Sequence, residues 1–288
     1  MSTSTTTAPA FTPTGRDLGF GGIMSSEWIK LRSIRSTWWC FAILLLLTVG
    51  FSALLSSTLS FGDGPSPTGD AAQSLAVQAV TISTTFGALV IGVLGVLIIS
   101  GEYGTGMIRS TLTAVPRRTP ALIAKALVFA LATFVVSALS FAISVPISVA
   151  LLAGTGIDVD LGDPKYWLAL LGGVVYLVLV GLIAFSIGAI IRNTAGSVAV
   201  ALGLVLAAPI VLSIVSALTQ LVWLQNVEKL LPSTAGGTLS SYPIDATGAT
   251  PAADGLWTFE PWQGLLVLVV WVVVLFTTAT VLLKRRDA

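Results

Sequence analysis

The 288-residue sequence contains no histidine and only one cysteine, Cys40. Without histidine the chain lacks the commonest metal ligand and the usual proton carrier near neutral pH. A single cysteine excludes an internal disulfide. Charge is scarce too: 9% of residues are Asp, Glu, Lys or Arg, against about 25% in soluble domains. No Gly-x-x-x-x-Gly-Lys-Ser/Thr phosphate loop occurs anywhere in the chain. Titratable groups are nowhere grouped as general acid–base chemistry requires, so the sequence assigns neither a catalytic residue nor a metal ligand.

Apolar surface takes the place of charge. Hydrophobic residues make up 55% of the chain and the mean hydropathy is +0.96. These values identify an all-α polytopic membrane protein. Six transmembrane helices are predicted at about 38–56, 78–100, 121–153, 166–191, 195–218 and 263–283. The third exceeds the roughly 20 residues needed to cross, and Pro146 inside it predicts a bend. Gly87, Gly92 and Gly95 permit close helix contact in the second. Residues 1–22, rich in Ser, Thr, Pro and Gly, read as a disordered tail, with one membrane domain over 23–288. No apolar core with a cleavage site follows a basic start, so the tail is not a signal peptide.

Basic residues set the expected orientation. With the amino terminus inside and six alternating spans, one side holds Arg16, Lys30, Arg32, Arg35, Arg109, Arg117, Arg118, Lys125, Arg192, Lys284, Arg285 and Arg286. The other side keeps only Lys165 and Lys229. Both termini are therefore expected in the cytosol. Lys125 is the only charge placed within a span, close enough to its end to snorkel.

A helix is expected over Ser25–Thr37, where Ile23, Trp28, Leu31, Ile34 and Trp38 recur at helical spacing and Lys30, Arg32 and Arg35 line much of the rest. That pattern suits a helix lying in the inner membrane interface; a plain extension of the first span is the alternative.

The polar stretch between the second and third spans, Gly101–Pro120 (GEYGTGMIRSTLTAVPRRTP), is the most distinctive. A short amphipathic helix fits its middle, with Met107, Ile108, Leu112 and Val115 on one face. Thr105 is placed to cap it and Pro116 to stop it. Such a helix can pass force from a soluble partner into the spans. A loop whose arginines only orient the chain is the competing reading.

This stretch resembles the loop between the second and third spans of ABC-2 type transporter permeases. Glu102, Gly106, Thr111, Leu112, Pro116 and Arg118 stand at the family's positions, and Met107 departs from its usual threonine. Glu27-Trp28-Ile29-Lys30-Leu31-Arg32-Ser33 and Leu231-Pro232-Ser233-Thr234-Ala235-Gly236 are similar as well. The resemblance implies a permease subunit of a bacterial ABC exporter in the plasma membrane. A second permease chain, homo- or heterodimeric, would pair with it. A separate ATPase subunit would bind ATP and Mg, leaving no cofactor in this chain.

Carried over, Glu102, Arg109, Thr111, Leu112, Pro116, Arg117 and Arg118 would form the ATPase-coupling element. Glu27, Lys30 and Arg32 would add contacts from the interfacial helix. Arg117 and Arg118 have a rival role as lipid-headgroup anchors. Membrane lipids are thus expected partners and nucleic acid is not.

Gln78, Thr81, Ser83, Thr84 and Thr85 would line a substrate path, or else satisfy one another between packed helices. The largely uncharged interior points to a lipid-like or amphiphilic cargo. Residues 219–262 carry Trp223, Tyr242, Trp257 and Trp262, which suit the outer interface. The resemblance implies that this region dips back into the membrane; a plain outer loop is the alternative. Two other classes stay open on residues alone. One is an ATP-independent channel or secondary transporter, which the lack of intramembrane charge disfavours. The other is a membrane anchor or signalling partner.

Overall fold

A computed structural model describes residues 19–59, 66–104, 106–107, 118–244 and 255–285. Regular structure among them is entirely helical. The helices are α1 (Phe20–Ser33), α2 (Arg35–Thr58), α3 (Asp70–Thr81), α4 (Thr84–Gly104), α5 (Arg118–Gly154) and α6 (Pro164–Ile191). They continue as α7 (Thr194–Leu202), α8 (Ala208–Thr219), α9 (Val222–Glu228), α10 (Pro232–Leu239) and α11 (Pro261–Arg285). Six stretches are long and apolar enough to cross a membrane: Arg35–Thr58, Asp70–Gly104, Thr119–Gly154, Pro164–Ile191, Thr194–Thr219 and Pro261–Arg285. The six-span, all-α architecture read from the sequence is the architecture of the chain.

Its centre is α6, packed against α4, α5, α7, α10 and α11. Lipid is as apolar as leucine, so close backbone approach and dispersion must hold such a bundle together. Glycine supplies the approach. A Cβ on Gly95 of α4 would lie 2.5 Å from the Gly181 carbonyl oxygen of α6. Gly87 accommodates Leu44 in the same way, whereas a Cβ at Gly92 would meet only ordinary contact, 3.9 Å from Ala184. On α5 the fully buried hydroxyls Thr133, Ser137, Ser140, Ser144 and Ser148 run along one face, and Ser148 meets Ser56 of α2 at 2.7 Å.

Two boundaries and one internal turn differ from the sequence reading, each for a local reason. Helix α1 begins at Phe20 and stops at Ser33, because Ile34 is extended (φ −85°, ψ 118°) and separates α1 from the first span. The second span starts at Asp70 rather than near Gln78. Its polar start is held by Gln73, whose amide donates to the Asp160 carbonyl at 2.9 Å. The span is interrupted at Ile82–Ser83, where the hydroxyls of Thr81, Ser83 and Thr84 donate to Val77, Val80 and Thr81 carbonyls. In the fifth span a π-helical turn, Gly203–Ala207, precedes Pro209. The wider turn accommodates a ring that would otherwise strike the carbonyl four residues back. Pro146 sits inside the single helix α5.

Helix α10 is wedged between α6 and α11. Cβ atoms on Gly172 and Gly264 would lie 2.2 Å from the Leu239 and 2.6 Å from the Ala235 carbonyl oxygen. Gly172 lies about 12 Å along α6 from Pro164, at 1.5 Å per residue. Trp271, about 15 Å along α11, donates its indole N–H to the Leu230 carbonyl.

Beyond α10, Tyr242 closes the bundle end. Its hydroxyl lies 2.7 Å from Asp163 Oδ2 and 3.3 Å from Asp70 Oδ1, joining the α10 exit to the starts of α6 and α3. Asp163 also caps α6 by accepting from the Lys165 backbone N–H. The Tyr242 hydrogen bond holds the Asp163 carboxyl below the usual carboxylate range. Burial, then the bond to Asp163, pushes the Tyr242 hydroxyl well above its ordinary value.

A depressed carboxylate stabilises the fold above its unfolded-state pKa, and that contribution fades as pH falls through the folded value. Tyr242→Phe is therefore expected to lower the midpoint of thermal unfolding at neutral pH. The gap from wild type should close as pH drops below the Asp163 range. A gap that is unchanged across that titration would show that the aspartate contact contributes nothing.

Candidate functional site

Four charged side chains from three helices meet in one place. On α1, Ile23, Glu27 and Leu31 recur every four residues and form its buried face. Glu27 thus occupies a core position and is 3% exposed. Glu102 stands in the last turn of α4, 4% exposed, and Lys125 two turns into α5, 6% exposed. Lys125 Nζ donates to Glu27 Oε2 at 2.5 Å and to Glu102 Oε1 at 2.7 Å. Lys30, one turn after Glu27, reaches Glu27 Oε1 at 2.7 Å and Glu102 Oε1 at 3.3 Å.

Two ammoniums and two carboxylates make the cluster neutral. That neutrality is what allows burial, since an isolated ion in such a setting costs several kcal/mol. Burial opposes the Lys30 charge, but its hydrogen bond to Glu27 and the Glu102 and Glu27 charges outweigh it. Its ammonium titrates above the ordinary lysine range. Glu102 Oε2 is buried and takes no hydrogen bond from the described residues. The cleft beside it, floored by Leu31, Ile98 and Val128, is about 20 Å³, room for a single water and not for a substrate. The geometry suits mechanical linkage, with α1 pinned to the helices that lead into and out of the Gly101 loop.

Lys125 does not snorkel to the interface, as its place near a span end suggests, but is buried and 6% exposed. Its side chain points between α1 and α4 because two carboxylates there compensate the charge better than a reach to the interface. The expectation of no other charge within a span changes as well, since α4 runs on to Gly104 and includes Glu102.

Of the other coupling candidates, Arg109, Thr111, Leu112, Pro116 and Arg117, together with the predicted short helix and its Thr105 cap, lie outside the described residues. Arg118 begins α5. Gly106 has φ +72°, a left-handed conformation that favours glycine at that position. Arg32 is exposed and apart from the cluster. The expected apolar stripe of α1 divides: Ile23 and Leu31 face the bundle, while Trp28, Ile34 and Trp38 are exposed. Thr81 and Thr84 are buried at the α3–α4 break, and Gln78 and Thr85 face outward.

Sequence reasoning missed a second junction at the same end of the bundle. Arg192 ends α6 in a left-handed conformation (φ 61°), and Asn193 caps α7 by accepting from the Gly196 N–H. The Arg192 guanidinium lies 5.1 Å from the Tyr103 ring centre and donates to the Leu282 carbonyl at 3.4 Å. Thr194 donates to Ser100 at 3.0 Å. The α6–α7 turn and the end of α11 are thereby tied to the residues flanking Glu102.

No curated protein matches the sequence. The family described as ABC-2 family transporter protein matches residues 22–288, covering every helix from α2 onward and nearly all of α1. The chain belongs to the ABC-2 family, as the multi-pass membrane subunit, or permease, of an ABC transporter, a membership that implies pairing with an ABC ATPase.

Proposed function

We propose that this permease exports a lipid-like or amphiphilic molecule, driven by a separate ATPase that docks on the 101–120 loop. The observation that carries the reading is the cluster of buried Glu27, Glu102 and Lys125 with the partly exposed Lys30. A push on the loop moves the end of α4 or the start of α5, and neither helix can shift without straining its ion pair to α1, Lys30–Glu102 for α4 and Lys125–Glu27 for α5. Movement at the docking surface is thus delivered to the second and third spans together. ATP and Mg bind on the partner, and this chain supplies no catalytic residue.

The distribution of basic residues supports cytoplasmic termini and a cytoplasmic cluster. The depth of α10 along α6 and α11 supports a segment that re-enters the membrane from the outer side and narrows the exit. Outward-facing Gln78 and Thr85 are available to a path shared with a second permease chain, alike or sister. The membrane is the bacterial plasma membrane.

The test is co-purification of this chain with candidate ATPase subunits, comparing wild type with Arg109→Glu combined with Leu112→Asp. A partner is expected on the wild type and lost, by tenfold or more in recovered ATPase, on the variant, with membrane insertion unchanged. Equal recovery on both would remove the loop as the docking site.

A further inference from the structure

A cavity of about 240 Å³ opens between α1, α2 and α5, on the far side of Leu31 from the charge cluster. Trp28 of α1, Trp38 and Phe41 of α2, and Ala132 and Val135 of α5 line it, together with the exposed Arg32. Its lining is almost wholly apolar apart from Arg32 and Thr37. Drug-sized pockets run at roughly 300–1,000 Å³, so this one accepts part of a single chain and not a whole molecule.

Three features give the cavity a polar, anion-seeking end. Arg32 lines the cavity and Arg35 begins α2 two residues before Thr37; both are exposed, and neither makes an ion pair with a described carboxylate. Thr37, 3% exposed, lines the cavity, and its hydroxyl has no hydrogen-bond partner among the described residues. The 24-residue helix α2 begins here at Arg35, and the Ile34 before it supplies no capping side chain, so the positive end of the helix has no side-chain partner. The opposing carbonyls at the end of α1 are partly occupied, since the Trp38 indole donates to the Arg32 carbonyl and Ser33 to Lys30.

We infer that this cavity is a binding site for an anionic phospholipid of the adjoining leaflet. The phosphate sits against Arg32 by the start of α2, with Arg35 adding positive charge beside it, and part of one acyl chain enters between Trp38 and Val135. A zwitterionic phosphatidylcholine offers the same chain, but its choline brings a positive charge among arginines, so headgroup charge decides occupancy. The lipid bridges α1 to α2 across the Ile34 break, where protein contacts are few. The inference needs only a membrane around the chain, so it stands or falls apart from ATPase docking.

The purified chain is titrated with dioleoylphosphatidylglycerol or dioleoylphosphatidylcholine, and bound lipids are counted by native mass spectrometry. Wild type is expected to retain one phosphatidylglycerol at a concentration at least tenfold below that needed for phosphatidylcholine. Arg32→Gln with Arg35→Gln should abolish the preference. Val135→Trp, which fills the cavity mouth from a half-exposed position and leaves both arginines in place, should abolish retention of the single lipid. No preference in wild type overturns the inference, and so does undiminished retention in Val135→Trp, which would mean that surface charge alone holds the lipid.

Discussion

Lys125→Met is expected to lower the stability of the folded chain by about 3–5 kcal/mol, the usual consequence of removing one partner from a buried ion pair. Lys125 contacts both buried carboxylates, and methionine nearly preserves its volume, so little of the loss comes from packing. What remains is Glu27 and Glu102 facing each other with only the partly exposed Lys30 between them, a net charge of −1. The cluster should respond to its own neutrality. In Glu102→Gln combined with Lys125→Met, Glu27 and Lys30 are left as a matched pair, so the double variant should recover a large part of the loss. A coupling energy of about 1–3 kcal/mol between the two changes is expected. Heating in detergent while a thiol dye reports on Cys40, the only cysteine, measures all four proteins. Additive losses, or a single-variant loss below about 1 kcal/mol, would mean that the charges are solvated and no pin exists.

How much of this cluster could be read beforehand depends on the kind of information each part carries. Spans were legible because a run of about 20 apolar residues is a local property, and all six stand where hydropathy puts them. The family resemblance gives Glu27, Lys30 and Glu102 only as contacts to a partner outside the chain. That they contact one another through Lys125 was not legible. Glu27 and Lys125 are 98 residues apart in sequence, and nothing local encodes which helices become neighbours.

A local signal nevertheless existed. Glu27 lies midway between Ile23 and Leu31 at four-residue spacing, so a carboxylate stood on the apolar face of an amphipathic helix. A buried carboxylate requires a buried cation, and Lys125 was the one lysine inside an apolar run. Those two facts together point to the pair. The α3–α4 break was hidden for the opposite reason. Thr81, Ser83 and Thr84 read as a polar lining, yet each hydroxyl donates to a carbonyl of the last turns of α3, three or four residues back, an arrangement that sequence does not distinguish from a lined cavity.

Gly172→Ala should dislodge α10 from its place between α6 and α11. One methyl group is enough because of what it meets. The new Cβ would lie 2.2 Å from the Leu239 carbonyl oxygen and 2.9 Å from its carbon, which are backbone atoms that no rotamer change can move. Overpacking of this kind typically costs about 1–3 kcal/mol, and a contact this short belongs at or above the upper end. Gly237→Ala is the control within α10 itself. Nothing lies within 4 Å of its added Cβ, and alanine is preferred to glycine in a helix by about 1 kcal/mol, so that variant should be unchanged or slightly more stable. The positional readout uses Leu239→Cys in a Cys40→Ser background, since Leu239 is 8% exposed against α6. A membrane-impermeant thiol reagent should label that cysteine slowly while Gly172 is kept, and at least tenfold faster once Gly172→Ala is added. If Gly172→Ala melts and labels like Gly237→Ala, α10 is not seated at that depth. If it labels fast while the six spans stay folded, α10 is a separable plug, and the same substitution becomes the means to hold the proposed exit open during a transport assay.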